Sequence, residues 1–286
     1  MNIKIGKGVA HASFGELLQG RLPENDRSFL VTLPIDMFAK ATFYPNPNKP
    51  EIIIIPDYKK KALKAINILK KSIENDLGGT VYVDSNIPEC KGLSSSSADL
   101  VAAVRAFADS INYAISNEEI GHIMAQIEPS DAVMYDSTVV FYNCEGVRGE
   151  YVPKLPNFTI VGVDDGGMVN TEDCYKSLNK RDLRIFEKHE KLLEEFVAAA
   201  EKNDIWEIGR ISTESSILNQ EILFKKSLDK LLSVKEECKL PGIVTSHTGT
   251  YIGLIVNHDK NYLDNMNKVT EKLIENDFNF SIFNTI

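Results

Sequence analysis

The feature that most constrains the fold is a stretch of small residues between a predicted strand and a predicted helix. The stretch reads Pro-Glu-Cys-Lys-Gly-Leu-Ser-Ser-Ser-Ser-Ala over residues 88–98. Before it, Val81 and Val83 alternate with polar residues, which predicts a strand over Thr80–Asp84. After it, apolar residues recur at helical spacing, at Leu100, Val104, Phe107 and Ile111.

A strand, a small-residue loop and a helix in this order are suited to binding phosphate. The first amides of a helix have no intrahelical acceptor, and they lie at the positive end of the helix dipole. A serine hydroxyl in the same turn can ligate Mg²⁺, which prefers oxygen. Serine is also a common helix N-cap, but capping accounts for one or two serines rather than four in a row. Neither G-x-x-x-x-G-K-[ST] nor G-x-G-x-x-G occurs, so the sequence predicts a phosphate loop of another type.

The rest of the chain predicts an α+β protein with two lobes rather than a repeating βαβ sheet. Two prolines near residues 153–156 predict a boundary between a domain at 1–155 and a domain at 156–286. An extended segment is predicted over Leu30–Phe43, broken by Pro34. Further strands are predicted at Ile52–Ile55, where the run is expected to be buried, and at Val139–Asn143, Phe158–Val163 and Tyr251–Asn257; further helices are predicted at Lys59–Asn75, Asp182–Lys202, Asp204–Leu218, Ser227–Lys239 and Leu263–Asn276.

Charge and cysteine content exclude several classes of protein. The net charge of the 286-residue chain is −9, and the densest basic run, Lys59–Lys71, is interpreted as a solvated helix face, with anion steering as the alternative. We therefore expect no nucleic-acid partner. The four cysteines form no C-x-x-C pair, so neither a disulfide framework nor a zinc site is indicated. The polar amino terminus and the lack of a long apolar run predict a cytoplasmic protein without a membrane partner.

The 88–98 stretch resembles the P-x-x-x-G-L-[GS]-S-S-[AS]-[AS] signature of the GHMP kinases, named for galacto-, homoserine, mevalonate and phosphomevalonate kinases. The resemblance implies a two-lobed fold, with an N-terminal lobe like domain 2 of ribosomal protein S5 and a ferredoxin-like C-terminal lobe. It also implies ATP and Mg²⁺ as cofactors, with Ser96 as a metal ligand. The residues that it implies for binding ATP are Lys91, Gly92, Leu93, Ser94, Ser95, Ser96 and Ser97, and the loop amides from Ser94 to Ser97 would hold the β- and γ-phosphates.

An acidic segment, Glu-Pro-Ser-Asp-Ala-Val-Met from residue 128, supplies the carboxylates that phosphoryl transfer needs. Its resemblance to homoserine and mevalonate kinases implies that Glu128 ligates Mg²⁺ and that Asp131 orients or deprotonates the acceptor hydroxyl. Asp136 is a second candidate for the base. The alternative is structural: Glu128 ends a helix and Asp131 caps the next element.

The amino-terminal segment Ala-Ser-Phe-Gly-Glu-Leu-Leu-Gln-Gly, from residue 12, resembles the substrate-side segment of the same family. Gly15 stands where galactokinases and mevalonate kinases carry a lysine or arginine, whereas homoserine kinases also lack that basic residue. The resemblance implies that Glu16 and Gln19 contact the substrate. A plain surface position is the alternative for Glu16.

Near the carboxyl terminus, Thr-Ser-His-Thr-Gly-Thr-Tyr-Ile-Gly from residue 245 resembles the family's third, glycine-containing loop. The resemblance implies that Gly249 closes on the nucleotide and substrate. A turn before an apolar strand would have the same appearance. His247 is a candidate base, although a structural hydrogen bond is the favoured interpretation.

Four segments together resemble the L-threonine kinases of cobalamin side-chain synthesis: A-S-F-G-E-L-L-Q-G, L-P-I-D-M-F, E-P-S-D-A-V-M and V-D-D-G-G-M-V-N-T. This implies a kinase for the hydroxyl of a small amino acid, L-threonine first, with homoserine as the alternative and a non-catalytic nucleotide-binding regulator as the alternative of another class. Phe14 stands where those kinases typically have cysteine, and Ala132 where they have glycine. Either change could alter the preference for the acceptor substrate if the residue lies near it. The oligomeric state is also open, with a homodimer as one option.

Overall fold

A single sheet of ten strands runs through the computed structural model, which describes residues 3–167 and 182–286. Met168–Thr171 of the fourth segment above, and Cys174, lie outside the described residues. The main path of the sheet is β10-β7-β9-β8-β1-β2-β4-β3, and β5 joins β2 to β6. The strands are β1 Gly6–Arg21, β2 Ser28–Asn46, β3 Ile52–Ile55, β4 Gly78–Ser85, β5 Val139–Tyr142, β6 Val147–Arg148, β7 Phe158–Asp164, β8 Gly242–Thr245, β9 Tyr251–Asn257 and β10 Phe280–Asn284.

Helix α2 is the central helix of the N-terminal half, and small residues hold it close to the sheet. A Cβ atom added to Gly8 would lie 2.0 Å from the carbonyl oxygen of Ala102, so a larger side chain there would push the helix away. This close packing fixes where α2 begins, at the small-residue loop. The described helices are α1 Lys60–Ser72, α2 Ser95–Ser110, α3 Asn117–Ala125, α4 Leu183–Glu201, α5 Ile205–Leu218, α6 Leu228–Cys238 and α7 Tyr262–Glu275.

Most predicted elements are present within a few residues of their predicted ends, with two differences in the strands. Pro34 does not break the extended segment, because β2 continues through it. Pro34 pairs with Ser13, next to a shift in the register between β1 and β2. The run at β3 is only half buried, since Ile53 is 60% and Ile55 41% exposed. It lies at the edge of the sheet and pairs with β4 alone. Strands β1, β6 and β8 and helix α3 were not predicted.

The buried apolar residues form two clusters. The larger one lies between α2 and the sheet and extends to Phe196 of α4 and Ile211 of α5. The smaller one joins β7, β8 and β9 to α6 and α7. The sheet continues across the division at residues 155 and 156, and that boundary stays a prediction. Across the residues that the structure describes, no helix is long and apolar enough to cross a membrane.

Candidate active site

A cleft of about 670 Å³ opens at the amino end of α2. The predicted phosphate loop forms one side of it, and the acidic segment after α3 forms another. The amino-terminal segment and the loop before β9 close its inner end. Its lining includes Gly15, Glu16, Tyr58, Lys59, Lys60, Lys61, Glu89, Gly92, Ser94, Ser95, Ser96, Ser97, Asp99, Glu128, Asp131, His247 and Thr248.

The start of α2 has the geometry expected of an anion site. Ser94 is the N-cap, in the left-handed region at φ 59°, and its side chain makes no capping hydrogen bond. The first helical bond runs from the Ala98 amide to the Ser94 carbonyl, at 2.9 Å, so the amides of Ser95–Ser97 precede any intrahelical acceptor. The Ser94 hydroxyl instead contacts the hydroxyl of Ser13 and the carboxylate of Asp131. The capping interpretation therefore does not account for Ser94.

The predicted third loop packs directly on the phosphate loop through two glycines. Gly92 has φ +79°, and a Cβ there would lie 2.7 Å from the Cα atom of Gly249. The Thr250 amide donates to the Lys91 carbonyl at 3.1 Å, and the buried Lys225 ammonium donates to the Gly249 carbonyl at 2.6 Å. Gly249 thus reaches the site through the phosphate loop, and it is absent from the cleft lining.

Two of the seven predicted phosphate-loop residues do not line the cleft with their side chains. The Lys91 ammonium lies 2.6 Å from the Asp164 carboxylate and 3.0 Å from the Gly167 carbonyl oxygen, in the C-terminal half. Leu93 is buried in the larger apolar cluster. The other five, Gly92 and Ser94 to Ser97, line the cleft.

The structure brings the two predicted metal ligands together. The Ser96 hydroxyl lies 3.4 Å from one carboxylate oxygen of Glu128, and the Lys61 ammonium lies 2.5 Å from the other. Both ligands are hard oxygen donors of the kind Mg²⁺ prefers. The described residues hold no group of three or more histidine, cysteine, aspartate or glutamate side chains placed to bind a metal. Ser96 and Glu128 fit Mg²⁺ by the chemistry of their donor atoms.

Asp131 lies at the inner end of the cleft and is held by its neighbours. Its carboxylate accepts a hydrogen bond from Ser94, and the Ala132 amide donates to the Thr32 hydroxyl of β2 at 3.2 Å. Arg105 of α2 donates to the Met134 carbonyl at 2.7 Å and so fixes the same segment. Asp136 is exposed and does not line the cleft.

Glu16 is buried in the middle of the sheet, and the surface alternative for it is wrong. It pairs with Thr32 of β2 on one side and with Thr245 of β8 on the other, and it is 1% exposed. Burial raises the pKa of its carboxyl group well above the ordinary value, and the negative charge of neighbouring Asp131 raises it further. The Thr32 hydroxyl opposes these effects in part.

Gln19 reaches the cleft through His247, because the His247 Nδ1 atom hydrogen-bonds the Gln19 side-chain oxygen. Burial lowers the pKa of His247; the Asp131 charge opposes that effect, and the Lys225 ammonium reinforces it. The hydrogen bond agrees with the favoured structural interpretation of His247.

Phe14 lies away from the cleft, although its position in the sequence left an effect on the acceptor open. Its ring packs on Tyr251 and Phe283 at centroid distances of 5.7 and 5.0 Å. Glycine is needed opposite the ring, since a Cβ at Gly253 would lie 2.6 Å from it. Phe14 therefore fills the core between strands, and Ala132 is likewise buried in the core.

Sequence reasoning missed the lysines at the mouth of the cleft. Lys59 forms ion pairs with Glu89, at 2.8 Å, and with Asp99, and Lys61 pairs with Glu128. The solvated-face interpretation is therefore wrong for Lys59, whose side chain is 10% exposed, whereas the Lys61 side chain is 46% exposed and also pairs with Glu128. The available signal was their place at a helix start directly after a strand.

Comparison with known proteins agrees with this geometry. Residues 60–137 match the family model described as the GHMP kinases N terminal domain. The chain is 24% identical to the L-threonine kinase of Salmonella typhimurium, over 91% of this chain and 86% of that protein. It is 22% identical to the L-threonine kinase of Citrobacter freundii, over 88% and 87%.

Solved structures share the fold over nearly the whole chain. The homoserine kinase of Cytophaga hutchinsonii superposes with a TM-score of 0.75 at 14% identity, covering 99% of this chain and 94% of that one. The mevalonate kinase of Methanococcus jannaschii gives a TM-score of 0.70 at 15% identity, covering 99% and 98%. The predicted two-lobed α+β fold and the resemblance stated above are confirmed. Residues 60–137 thus match the N-terminal domain of the GHMP kinases, and the chain as a whole has the fold of solved homoserine and mevalonate kinases.

Proposed function

We propose that this protein is an ATP-dependent kinase that phosphorylates the hydroxyl group of a small amino acid, L-threonine first. The observation that carries the proposal is the meeting of the helix start at Ser95–Ser97 with Glu128 and Asp131 in one cleft. A helix start binds phosphate, and a carboxylate beside it can serve the acceptor hydroxyl. The similarity to two L-threonine kinases along most of the chain supports the choice of acceptor.

Each group in the cleft has a role in this proposal. The amides at the start of α2 bind the β- and γ-phosphates, and Ser96 and Glu128 hold Mg²⁺, which offsets phosphate charge. Asp131 orients the acceptor hydroxyl and takes its proton as the hydroxyl oxygen attacks the γ-phosphorus. The bond from that phosphorus to the bridging oxygen then breaks, and ADP leaves. Gly92 and Gly249 keep the phosphate loop and the third loop in contact.

A coupled assay of ADP release over L-threonine, L-serine, L-homoserine, mevalonate and galactose tests the proposal. L-Threonine should give the highest kcat/KM. L-Serine lacks one methyl group and should fall by roughly 10–200-fold. L-Homoserine places its hydroxyl one carbon further away and should lose mainly kcat, because attack requires close positioning.

Activity on mevalonate or galactose, with none on a hydroxy amino acid, would refute an amino acid as the acceptor, and the protein would still be a kinase. No ADP release with any acceptor, from a protein that still binds ATP, would refute the catalytic role and favour a nucleotide-binding regulator.

A further inference from the structure

Glu16 is a buried acid that lies beside a second acid. Burial leaves its side chain 1% exposed, at the inner end of the cleft where Asp131 also lies. In the described part of the chain, the Thr32 hydroxyl makes only a weak contact with the Glu16 carboxyl group, no other residue donates a hydrogen bond to its oxygens, and no cation forms an ion pair with it. The group is therefore buried with too few partners for a carboxylate.

A carboxylate in such a place is very unfavourable, and binding a proton removes the cost. The charged and titratable groups packed around this end of the cleft are Asp131 from the loop after α3, His247 from the loop before β9, and Lys225 from the segment before α6. Lys225 bonds to the Gly249 carbonyl, and His247 bonds to Gln19. The charge that acts on Glu16 is that of Asp131, and it disfavours a second anion.

The neighbouring glycine explains why an acid points inward here. Gly15 has φ +61°, and a Cβ there would lie 2.4 Å from the Cα atom of Ser246. A side chain at position 15 is therefore excluded. The register between β1 and β2 shifts around Gly15, and the shift places Glu16 between Thr32 and Thr245.

We propose that Glu16 is a positioning residue that stays protonated and donates a hydrogen bond to Asp131. The inference rests on the proposed function, since Asp131 is the group that serves the acceptor hydroxyl there. Two carboxylates cannot hydrogen-bond each other, whereas an acid and a carboxylate can. Ser94 donates to Asp131 as well. With these two donors Asp131 is held in place, and its remaining oxygen lone pairs face the substrate.

The proton count of the reaction is unchanged by this arrangement. The proton that leaves the acceptor hydroxyl goes to Asp131, and Glu16 keeps its own proton throughout. A neutral acid thus orients Asp131 without adding a charge to the buried site.

The protonation of Glu16 can be measured without turnover. Infrared spectra of the substrate-free protein at pH 7 should contain a carbonyl band of a protonated carboxylic acid that disappears in Glu16→Gln. The kinetic test compares Glu16→Gln, whose amide still donates a hydrogen bond, with Glu16→Met, which cannot. With L-threonine and ATP, Glu16→Gln should lose less than about tenfold in kcat and Glu16→Met about 10²-fold or more, with little change in either KM. The wild type should also lose activity at alkaline pH as Glu16 ionises, and Glu16→Gln should not.

If the carbonyl band of a protonated carboxylic acid is the same in wild type and Glu16→Gln, the proposal is overturned. A rise in the KM for L-threonine in Glu16→Gln as large as that in Glu16→Met would also overturn it, because Glu16 would then act as an anion toward the substrate ammonium. If Glu16→Met does not fold, as judged by circular dichroism, the infrared band and the kinetics of Glu16→Gln still decide. If the wild type releases no ADP with any amino acid, the proposed function fails, and the infrared band alone decides the state of Glu16.

Discussion

Replacing Gly92 by alanine should destabilise the fold and weaken nucleotide binding. The loss in the free energy of unfolding has two parts. The first part is backbone strain, because Gly92 has φ +79° and a residue with a side chain loses about 1–2 kcal/mol in the left-handed region. The second part is steric. The new Cβ would lie 2.5 Å from the Ser246 Cβ and 2.7 Å from the Gly249 Cα, and overpacking of this kind costs about 1–3 kcal/mol.

Gly166 is a matched control for the first part alone. It has φ +82°, and an added Cβ would meet no described atom within 4 Å. Gly166→Ala should therefore lower the free energy of unfolding by about 1–2 kcal/mol, and Gly92→Ala by about 2–5 kcal/mol. The steric part, about 1–3 kcal/mol, corresponds to a difference of roughly 2–12 °C in Tm, since about 1 kcal/mol shifts the Tm of a large domain by roughly 2–4 °C.

Urea unfolding followed by circular dichroism measures the two free energies, and isothermal titration calorimetry measures the affinity for ATP. Gly92→Ala should also bind ATP more weakly than Gly166→Ala, because the phosphate loop must move away from the third loop. Equal destabilisation of the two variants, with equal ATP affinity, would refute the close contact of Gly92 with Ser246 and Gly249.

Further predictions concern the metal, the base and a buried histidine. Ser96→Ala should lower kcat strongly while the fold is kept, since the Ser96 side chain is exposed and its hydrogen bond to Glu128 is long, at 3.4 Å; wild-type turnover at saturating Mg²⁺ would contradict the metal role. Asp131→Asn should lower kcat by roughly 10²–10⁴-fold and leave the Kd for ATP nearly unchanged, whereas equal losses in both would indicate a nucleotide or metal role. Burial, reinforced by the Lys188 charge, lowers the pKa of His189 to about 4, so the folded protein favours the neutral ring. The stability gained from keeping the ring neutral is fully present above about pH 6.5, the pKa in the unfolded chain, and it is lost as the pH falls toward 4. Between pH 7 and pH 5 the free energy of unfolding should fall by roughly 2 kcal/mol more in the wild type than in His189→Gln, and parallel pH curves would contradict this.

Local patterns in the sequence were sufficient to predict the elements whose residues repeat at a clear period. Strand β9 was predicted at its observed bounds, and helix α2 was predicted from its apolar face and the serines before it. Strand β1 was not predicted. Its middle residues are buried on both faces of the sheet, and the bulge at Gly15 interrupts the register, so no alternation is visible in the sequence.

The sequence by itself determined the loop at the start of α2, the candidate metal and base residues, and the resemblance to the GHMP kinases, because these depend on residue type and short spacing. Only the tertiary structure decided which of them meet. It placed Ser94 against Asp131, Lys61 against Glu128, and Glu16 beside Asp131. It also turned Phe14 into the core. The physical reason is that such contacts join segments far apart in the chain, and their geometry is set by strand register and by the packing of α2 on the sheet.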